Sequence, residues 1–430
     1  MIPIITYTNQ PIATLLNRAE ETKVDVVASV TAIIDDIALR GDEAIADYCE
    51  KFDGVRPSQF FVSQEEIDIA YDTLEAPLRE TMELAAANIR TYHLQQKRNG
   101  FVDTSHAGVV LGQRILPIAN VGLYVPGGTA RYPSSVLMNT IPAKIAGVEN
   151  LYILTPPDKD GKVPACILAA AKIAGVNQVI ALGGAQGIAG LAYGSESLPK
   201  VDKIVGPGNI YVATAKQLCQ SRGLIDIDMI AGPSEILVIA DETATPSHVA
   251  ADLLSQAEHD VLAGAWLLTT DITLAEKVQV ELTKQLDTLP RKNIASQSIS
   301  NFGRILLVDS LQTATEVANQ IAPEHLELAV EKPFDWLPCI RNAGSVFLGH
   351  HCPEPLGDYM AGPNHTLPTS GTARYSSPLG VDDFIKRSSF LYYNEEALQA
   401  IGDHVIRFAT AEGLHAHANS IAIRTKEVEK

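Results

Sequence analysis

Cysteine is scarce in this chain of 430 residues, and the few cysteines are scattered. The five are Cys49, Cys166, Cys219, Cys339 and Cys352, and no two of them have the spacing of a CxxC pair. An odd, scattered set argues against a disulfide framework and against a cysteine-based zinc finger. The sequence therefore predicts a protein of a reducing compartment.

Targeting segments and long apolar runs are also missing. The first ten residues, MIPIITYTNQ, contain no basic stretch followed by an apolar one, so we expect no secretory signal. No run of about 18 apolar residues is present, which argues against a transmembrane span. Together with the cysteine pattern, these absences predict a cytoplasmic protein.

The chain also has fewer positively than negatively charged residues. Lys and Arg number 33 against 51 Asp and Glu, which gives a formal net charge of −18. Such a chain repels nucleic-acid phosphates and anionic membrane surfaces, so neither is an expected partner. The same charge mildly favours a small cationic substrate.

The middle of the chain contains a repeated strand-and-helix pattern. Short apolar runs end at glycine or proline and lead into alanine-rich stretches, as at residues 121–125, 151–154 and 179–182. Alternation of this kind predicts parallel sheets with crossover helices. The length of the chain fits two to three domains.

The two ends of the chain are predicted to be helical. Residues from about 14 to 50 and from 65 to 96 have apolar positions three and four apart. The second stretch begins near Ser63, with Glu66 three residues later, in a capping-box pattern. Pro, Gly, Ser and Thr recur after Pro353, which predicts a loop up to about residue 380, and the segment from Asp382 onward is predicted to form helices.

These patterns predict an α/β fold with two Rossmann-like parallel-sheet domains, an N-terminal helical arm and a helical C-terminal tail. The expected bounds are 1–24 for the arm, 25–120 with 235–375 for a discontinuous first α/β domain, 121–234 for a second α/β domain and 376–430 for the tail. No clean G-x-G-x-x-G follows a strand in either domain. The fold is therefore expected to lack the standard dinucleotide fingerprint.

Two glycine-rich turns are the nearest candidates for nucleotide binding. They lie at residues 183–187, after an apolar strand, and at residues 206–209. Glycine at a strand-to-helix turn lets the backbone approach a pyrophosphate and directs helix N–H groups at it. The alternative is that these glycines only make tight turns, and the residues alone leave both possibilities open.

A candidate metal-binding pair lies at the end of a predicted helix. Gln256 and His259 are three positions apart, so their side chains share one face and can reach one ion. A lone histidine near a helix C-terminus more often serves the helix dipole or a core hydrogen bond. On this fragment alone, the structural alternative is favoured.

Two further clusters strengthen the metal interpretation. Asp358 and His365 lie in a stretch rich in Gly and Pro, and Glu412, His415 and His417 lie in the tail. Loops bounded by Gly and Pro often hold functional side chains in fixed places. Imidazole and carboxylate ligands without thiolate suit Zn²⁺ and similar divalent ions. The sequence alone leaves open whether the three clusters meet in space.

Glu324 and His325 form the candidate acid–base pair, directly after Pro323. Proline followed by an acidic residue is also an ordinary helix start, and spacing does not decide between the two interpretations. For catalysis, histidine titrates near neutrality. A glutamate beside it can take a proton from water if burial raises its pKa.

Residues 227–235, Ile-Asp-Met-Ile-Ala-Gly-Pro-Ser-Glu, running on to Gln256-Ala257-Glu258-His259, resemble the signature of the histidinol dehydrogenase family. Further matching motifs lie at residues 122–128, 183–186, 206–209, 322–327, 357–359, 362–365, 367–369 and 411–414. The resemblance is collinear over nearly the whole chain. One departure is Ser370, where the usual Leu-Pro-Thr-Gly-Gly pattern has glycine, and it affects only the expected shape of that loop.

The resemblance implies one Zn²⁺ per subunit, and NAD as the cofactor. The implied zinc ligands are Gln256, His259, Asp358 and His417. His417 is preferred to His415 because the family motif is an Ala-His pair after Glu-Gly-Leu and one variable residue, which is the position of His415. In these terms the first α/β domain would carry the metal and catalytic residues, and the second would be the NAD side.

The resemblance also implies the remaining site residues and the assembly. The implied residues are Tyr124, Gln186 and Asn209 for NAD; Ser234, Gln256, His259, His325, Asp358, His365, Glu412 and His417 for the substrate; and Glu324 with His325 for catalysis. In the family, the tail residues Glu412 and His417 reach into the partner subunit's site. We therefore expect a homodimer whose tails complete both sites symmetrically.

The activity implied by the resemblance is the oxidation of L-histidinol to L-histidine through L-histidinaldehyde, the last steps of histidine biosynthesis, in two NAD-dependent hydride transfers. Zinc would orient the substrate while Glu324 and His325 do the acid–base chemistry. The nearest rival is a related zinc- and NAD-dependent dehydrogenase of another amino alcohol or diol, such as sulfopropanediol. A non-catalytic binding protein and a zinc hydrolase are weaker rivals, the latter because His-Glu-x-x-His is absent.

A covalent route through a cysteine thiohemiacetal is the alternative to water-based chemistry. None of the five cysteines lies in a matched motif, although Cys352 is close to Asp358 in sequence. We expect Cys352→Ala to keep near-normal turnover. Loss of activity with the metal retained would reject the water-based route.

Overall fold

The computed structural model describes residues 2–16, 24–127, 131–230 and 232–425. They form two compact units, the first built from Met1–Gln96 with Ile118–Phe384 and the second from Lys97–Pro117 with Ile385–Lys430. The strands are β1 (Ile4–Thr6), β2 (Phe101–Asp103), β3 (Val109–Pro117), β4 (Asn120–Tyr124), β5 (Asn150–Thr155), β6 (Gln178–Ala181), β7 (Lys203–Val205), β8 (Asp226–Ile227), β9 (Glu235–Ala240), β10 (Gly264–Thr269), β11 (Arg304–Leu307), β12 (His325–Ala329), β13 (Ser345–Leu348) and β14 (Ile385–Tyr393).

Most of the helices belong to the first unit. They are α1 (Ile12–Leu15), α2 (Val24–Arg40), α3 (Asp42–Asp53), α4 (Gln64–Asp72), α5 (Ala76–Leu94), α6 (Pro133–Ala146), α7 (Ala165–Ala174), α8 (Gly184–Tyr193), α9 (Ile210–Ser221), α10 (Pro246–Ala257), α11 (Ile272–Leu286), α12 (Lys292–Phe302), α13 (Leu311–Ile321), α14 (Pro333–Trp336) and α15 (Glu354–Tyr359). The second unit has α16 (Glu395–Ala411) and α17 (His415–Thr425). Short 3₁₀ turns lie at Leu337–Cys339, Thr372–Arg374 and Val381–Phe384.

The first parallel sheet has five strands in the order β6-β5-β4-β7-β8. Every neighbouring pair in it is parallel. Numbered along its own part of the chain, this order is 3-2-1-4-5, the order of a doubly wound sheet. Its strands are apolar and largely buried, as expected where helices cover both faces of a parallel sheet.

The second parallel sheet has six strands in the order β1-β11-β10-β9-β12-β13. From β9 onward it repeats the 3-2-1-4-5 order, and β1 is added at the edge beside β11. The strands β9, β10 and β12 are buried along their whole length. The prediction of two parallel-sheet α/β domains is confirmed.

Helices α2 to α5 pack on the five-stranded sheet. Helices α2 and α3 contact α8, α4 contacts α7, and α5 contacts α6. Their apolar side chains share two cores with that sheet. The predicted domain bounds attach residues 25–120 to 235–375 instead, because amphipathic spacing shows that a helix has a buried face without showing which sheet covers it. The division into domains itself stays a prediction.

The described part of the N-terminal arm, residues 2–16, consists of β1 and the single-turn helix α1. Strand β1 pairs with β11, and Leu15 and Leu16 are buried in a core of the six-stranded sheet. The rest of the arm, up to residue 23, lies outside the described residues. In the described part from residue 24 onward, the helix predicted from about 14 to 50 is divided into α2 and α3, because Gly41 separates them with a φ of 56°. The capping box of Ser63 and Glu66 is confirmed.

The second unit combines an antiparallel sheet with the tail helices. Strand β3 pairs with both β2 and β14. The prediction of helices from Asp382 onward is wrong for Ile385–Tyr393, where Ser, Phe, Leu and Tyr fit a strand paired along the nine residues of β3. Helices α16 and α17 pack on each other. Within the described ranges, no helix is long and apolar enough to cross a membrane.

Candidate active site

The amino-terminal edge of the six-stranded sheet brings Ser234, Glu324 and His325 together. Strand β9 begins directly after Ser234, and its neighbour β12 begins at His325, which pairs with Ile236. The helix start considered for Pro323 is wrong. Helix α13 has already ended at Ile321, and the chain then turns through a left-handed residue, Ala322 at a φ of 51°, into β12.

The backbone of Glu235 holds both members of the candidate acid–base pair. Its N–H donates to Oε2 of Glu324 at 2.9 Å. Its carbonyl lies 3.1 Å from Nδ1 of His325, so Nδ1 carries the proton and donates. The other ring nitrogen, Nε2, is buried and has no hydrogen-bond partner among the described residues. His325 therefore presents a basic nitrogen at a fixed position.

Burial dominates the electrostatics of this pair. It raises the pKa of Glu324 well above the ordinary value of 4.5, although the N–H of Glu235 opposes the shift. Burial lowers the pKa of His325 to about 4, although the charge of Asp358 opposes it. The imidazole is therefore neutral at neutral pH, which is the form that accepts a proton.

A group of possible metal ligands lies beside His325. The ligand atoms of His259, Glu354 and Asp358 are all within 4.8 Å of one another. Nε2 of His325 is 3.8 Å from Oδ1 of Asp358. Nearby in sequence, Gln256 is fully buried, and neither atom of its amide group has a hydrogen-bond partner among the described residues. Imidazole and carboxylate donors this close together fit a divalent cation such as Zn²⁺, and an unpartnered buried amide is available as a further donor.

His365 is held between two elements of the first unit. Its Nδ1 lies 3.1 Å from the carbonyl of Asp358, and its Nε2 lies 3.2 Å from Oγ of Ser135. Burial lowers the pKa of His365, so this imidazole is also neutral. The structure thus joins His365 to the segment that carries Asp358.

Three carboxyl groups were not singled out by the sequence analysis: those of the buried Glu327 and Glu354 and that of the half-buried Asp252. Oε1 of Glu327 accepts the backbone N–H of Glu354 at 2.7 Å, and Oε2 of Glu354 accepts from Oγ of Ser255 at 3.1 Å. Burial raises the pKa of Glu354 to about 8, that of Asp252 to about 6 and that of Glu327 well above its ordinary value. Glu354 and Asp358 are four positions apart on α15, a spacing that would have pointed to Glu354 had the segment after Pro353 been predicted as helix.

A cavity of about 330 Å³ adjoins the metal-ligand group. It lies within the first unit, and its walls include His259, Tyr359 and Arg131 together with apolar residues of α5 and α6. This volume suits a small-molecule ligand. The group therefore borders, through His259, a space that a small molecule can occupy.

Tyr124, Gln186 and Asn209 lie at the carboxyl edge of the five-stranded sheet. Tyr124 ends β4, and its hydroxyl accepts the N–H of Gly184 at 3.4 Å. Gln186 is buried in α8 and donates to Asp53 at 3.3 Å. Asn209 caps α9 by accepting the N–H groups of Tyr211 and Val212. Strands β4 and β7 are where the strand order reverses, which is the usual ligand crevice of such sheets.

Glu412 and His417 belong to the second unit. Glu412 ends α16, and His417 lies in the first turns of α17. Both side chains are exposed. The three-residue ligand group of the first unit does not include His417.

The fold alone resembles that of dehydrogenases. The betaine aldehyde dehydrogenase of Staphylococcus aureus aligns over 87% of this chain and 84% of its own with a TM-score of 0.51, at only 12% sequence identity. The two doubly wound sheets thus give this chain an α/β fold like that of an aldehyde dehydrogenase.

The family follows from closer relatives. The family model described as histidinol dehydrogenase matches residues 16–425. A histidinol dehydrogenase of Bacillus cereus is 54% identical over 413 residues, 96% of this chain and 95% of that protein. The crystal structure of histidinol dehydrogenase from Elizabethkingia anophelis has a TM-score of 0.93 and 40% identity over 99% of both chains. This chain belongs to the histidinol dehydrogenase family.

Proposed function

We propose that this protein is an NAD-dependent oxidoreductase that converts L-histidinol to L-histidine through L-histidinaldehyde in two consecutive hydride transfers. Family membership supports the substrate and the reaction. The main observation in support of the chemistry is that the backbone of Glu235 forms hydrogen bonds with both Glu324 and His325. Because Nδ1 of His325 is used in this way, Nε2 remains as a basic nitrogen 3.8 Å from Oδ1 of Asp358.

His325 is the proposed general base of both oxidations. In the first, Nε2 takes the hydroxyl proton of L-histidinol while the carbinol hydride leaves to NAD⁺, which gives the aldehyde and NADH. This role requires a neutral imidazole whose other nitrogen is already a donor. Burial lowers the pKa of His325 and so keeps the imidazole neutral. The carbonyl of Glu235 accepts the proton of Nδ1 and so makes that nitrogen the donor.

Glu324 is the proposed group that activates water for the second oxidation. Its carboxylate takes one proton from the water molecule as the water oxygen attacks the aldehyde carbon. As the water attacks, His325 returns the proton it took in the first oxidation to the carbonyl oxygen, which completes the hydrate. His325 then takes a proton from the hydrate while the second hydride leaves to another NAD⁺. One water and two NAD⁺ are consumed, and burial, which raises the pKa of Glu324, brings this glutamate towards the pH range in which it can work as a base.

The proposed ligands of one Zn²⁺ per subunit are Gln256, His259 and Asp358 of one chain and His417 of a second copy. The unpartnered amide of Gln256 and the closeness of His259 to Asp358 support this assignment. Zinc held by these residues would supply orientation of the substrate. Ser234, His365 and the partner copy's Glu412 are the proposed remaining substrate contacts.

NAD is proposed to bind at the carboxyl edge of the five-stranded sheet. Tyr124 and Asn209 lie on the two sides of the point where the strand order reverses, and Gln186 lies in the helix after β6. Because Asn209 already caps α9, its cofactor contact is expected to use the side-chain atoms that the cap leaves available. The standard glycine fingerprint is not needed for this arrangement.

A homodimer is proposed to complete each site with the tail of the other chain. The exposed positions of Glu412 and His417 in the second unit are compatible with contacts to another copy. A closed twofold arrangement would supply both sites symmetrically.

One assay tests the proposal. Metal-replete protein is given L-histidinol and NAD⁺, NADH is followed by absorbance, and histidine is quantified at the end point. We expect two NADH per histidine, loss of activity after chelation and recovery with Zn²⁺. Turnover of another amino alcohol or diol without turnover of L-histidinol would reject the substrate. Absence of NADH with every alcohol would reject the activity.

A further inference from the structure

Asp53 is a half-buried carboxylate beside the proposed NAD crevice, in a stretch that no motif singled out. It is the last residue of α3, and its Oδ2 accepts from the side-chain amide of Gln186 at 3.3 Å. Among the described residues, this amide is the one hydrogen-bond partner of the side chain, and no basic group influences its pKa. A carboxylate has about four lone-pair sites, so Asp53 keeps most of its capacity to accept hydrogen bonds.

The charge of Asp53 also acts on Tyr124, a second residue proposed to contact NAD. Burial is the main cause that raises the pKa of Tyr124 to about 12, and the charge of Asp53 contributes to the rise. The hydroxyl of Tyr124 accepts the N–H of Gly184 at 3.4 Å, two residues before Gln186. Asp53, Tyr124 and Gln186 therefore meet at the start of α8.

The two faces of the five-stranded sheet indicate which end of the cofactor meets Asp53. Ile153 belongs to the core that contains α6, whereas the next residue of β5, Leu154, belongs to the core that contains α3 and α8. On the α6 side, Oγ of Ser135 lies 3.2 Å from Nε2 of His365 in the active site. The reacting nicotinamide is therefore expected towards α6, and the adenosine end of NAD towards Asp53.

A carboxylate at the adenosine end distinguishes NAD from NADP. In doubly wound folds an acidic residue binds the ribose 2′-hydroxyl of NAD, and an arginine accommodates the 2′-phosphate of NADP. Within the described part of the chain, no Lys or Arg neutralises Asp53. A 2′-phosphate at this place would bring two negative groups into contact, which disfavours NADP.

We propose that Asp53 binds the adenosine ribose of the dinucleotide and makes the protein select NAD over NADP. Its carboxylate accepts from the ribose hydroxyl groups, and the amide of Gln186 holds the carboxylate in place. The acidic residue comes from a helix that precedes the sheet, whereas the standard fingerprint has it about 20 residues after the glycine turn. This inference deepens the proposed function and rests on NAD as the cofactor.

The test measures dinucleotide binding without turnover. Metal-replete, full-length protein is titrated with NADH and, separately, with NADPH, and nucleotide fluorescence gives each Kd with no alcohol present. The titrations are done at about pH 8, where Asp53 is charged although burial raises its pKa. We expect Asp53→Asn to weaken NADH binding by about 10-fold, the loss for a hydrogen bond to a charged group. The ratio of the NADPH Kd to the NADH Kd should fall by at least about 10-fold.

Three further variants complete the experiment. The matched control is Asp72→Asn, because Asp72 is also the last residue of its helix, α4, but is exposed. Both of its Kd values should equal those of the unsubstituted protein. Asp53→Glu keeps the charge and should keep the preference for NADH. If Asp53→Asn does not fold, Asp53→Ser takes its place with the same expected loss of preference.

The ratio of the two Kd values separates ribose recognition from a merely structural role. If Asp53 only positions Gln186, its replacement weakens NADH and NADPH binding equally, and the unchanged ratio would overturn the inference. No binding of either dinucleotide by the unsubstituted protein would overturn it together with NAD as the cofactor. A preference for NADH that Asp53→Asn removes, in a protein that does not oxidise L-histidinol, would support the inference and reject the proposed substrate alone.

Discussion

Single residues with unusual surroundings give the sharpest tests of this structure. Glu235 is one example, because its backbone N–H and carbonyl fix both Glu324 and His325. No motif predicted that role, since the contacts depend on the register of β9 against β12. What the motifs did predict was the identity of the two side chains.

Ser370 adopts a conformation that favours glycine. Its φ is 54°, and it stands where the family pattern has glycine. A residue other than glycine in the left-handed conformation is strained by about 1–2 kcal/mol, and replacing it with glycine removes that strain. Glycine also makes the unfolded chain more flexible, which reduces the gain in stability by about 0.4–1 kcal/mol. We expect Ser370→Gly to stabilise the protein by up to about 1 kcal/mol in urea unfolding. Ser376→Gly, at a residue without positive φ, should destabilise it, and a loss of stability in both variants would contradict this account.

His93 should make stability depend on pH. Burial lowers its pKa below the ordinary 6.5, against the effect of the hydrogen bond from Nδ1 to the carbonyl of Ile89. The unfolded chain therefore binds a proton at this histidine at a higher pH than the folded chain does. The stability that a neutral His93 contributes is complete above 6.5 and is lost as pH falls towards the folded pKa.

The comparison is urea unfolding of the unsubstituted protein and His93→Gln at about pH 7.5 and about pH 5.5. We expect the variant to lose less stability between the two conditions. His404→Gln, at an exposed position, is the control and should keep the original pH dependence. Identical pH dependence in all three proteins would rule out a neutral, buried His93.

At the scale of secondary-structure elements, α15 is a helix that its local sequence did not predict and that tertiary contacts stabilise. Pro353, Gly357 and Gly362 predicted a loop, and a helix of six residues is too short to be stable by itself. The side chain of Glu327, from the strand that carries His325, binds the first N–H of this helix. A contact between residues so far apart in sequence leaves no local pattern, so Glu354 was missed while Asp358 was found by its motif.

Removing the acceptor at Glu327 should loosen α15. Glu327→Leu leaves the buried N–H of Glu354 without a partner, which costs about 1–3 kcal/mol. We expect weaker zinc binding as well, because the helix carries Asp358. Thermal unfolding and zinc titration measure the two effects. Glu327→Gln keeps a carbonyl acceptor and should lie close to the unsubstituted protein, so a Gln variant as damaged as the Leu variant would show that the charge of Glu327 matters instead.

A buried ion pair holds the turn at residues 206–209. Asp228 accepts the N–H of Gly206 at 2.7 Å, and Lys216 donates to the carbonyl of Gly206 at 2.9 Å and to Asp228. Gly206 has a φ of 108°, and a Cβ there would come within 2.2 Å of the carbonyl oxygen of Tyr124. The pair therefore fixes the glycine that lets the turn approach β4.

Breaking the ion pair between Lys216 and Asp228 should weaken NAD binding more than it slows the chemical step. Lys216→Met leaves Asp228 buried and unpaired, a change that costs about 3–5 kcal/mol. We expect a clear rise in KM for NAD⁺, with a smaller change in kcat, in steady-state assays at a temperature where the variant is folded. Lys292→Met removes an exposed pair with Asp287 and should cost at most about 1 kcal/mol, without a KM effect. A variant with normal KM would show that the turn does not need the pair.

At the scale of the whole molecule, the sequence predicted the two parallel sheets and nearly all candidate site residues. Apolar runs that end at glycine are a strong local signal, and collinear motifs identify functional side chains. The packing of α2 to α5 on the five-stranded sheet and the strand β14 were missed, because both depend on partners distant in sequence. Local periodicity shows which residues are buried but not what buries them.

The proposed exchange of tails predicts complementation between two inactive proteins. His325→Gln removes the base from the site built on its own chain, and His417→Ala removes the ligand supplied to the partner copy. A mixed dimer has one site with both changes and one intact site. After random subunit exchange, half of the dimers are mixed, so we expect recovery of about one quarter of the original activity.

The measurement is NADH formation after the two inactive variants are mixed and incubated. The control is each variant incubated alone, which should stay inactive. If each tail instead serves the site of its own chain, every site in the mixture keeps one defect. Activity would then not recover, and the shared-site dimer would be rejected.

The pairing of β1 with β11 also has a consequence for how the chain is made. Strand β1 is at the start of the chain, whereas its partner ends at Leu307. At about 5–20 residues per second, a ribosome needs roughly 15–60 s to synthesise the intervening chain. The N-terminal segment must therefore wait, with Ile4 and Ile5 unpaired, while the five-stranded sheet has already emerged. A chaperone that captures short apolar segments on nascent chains would have its longest opportunity at these residues.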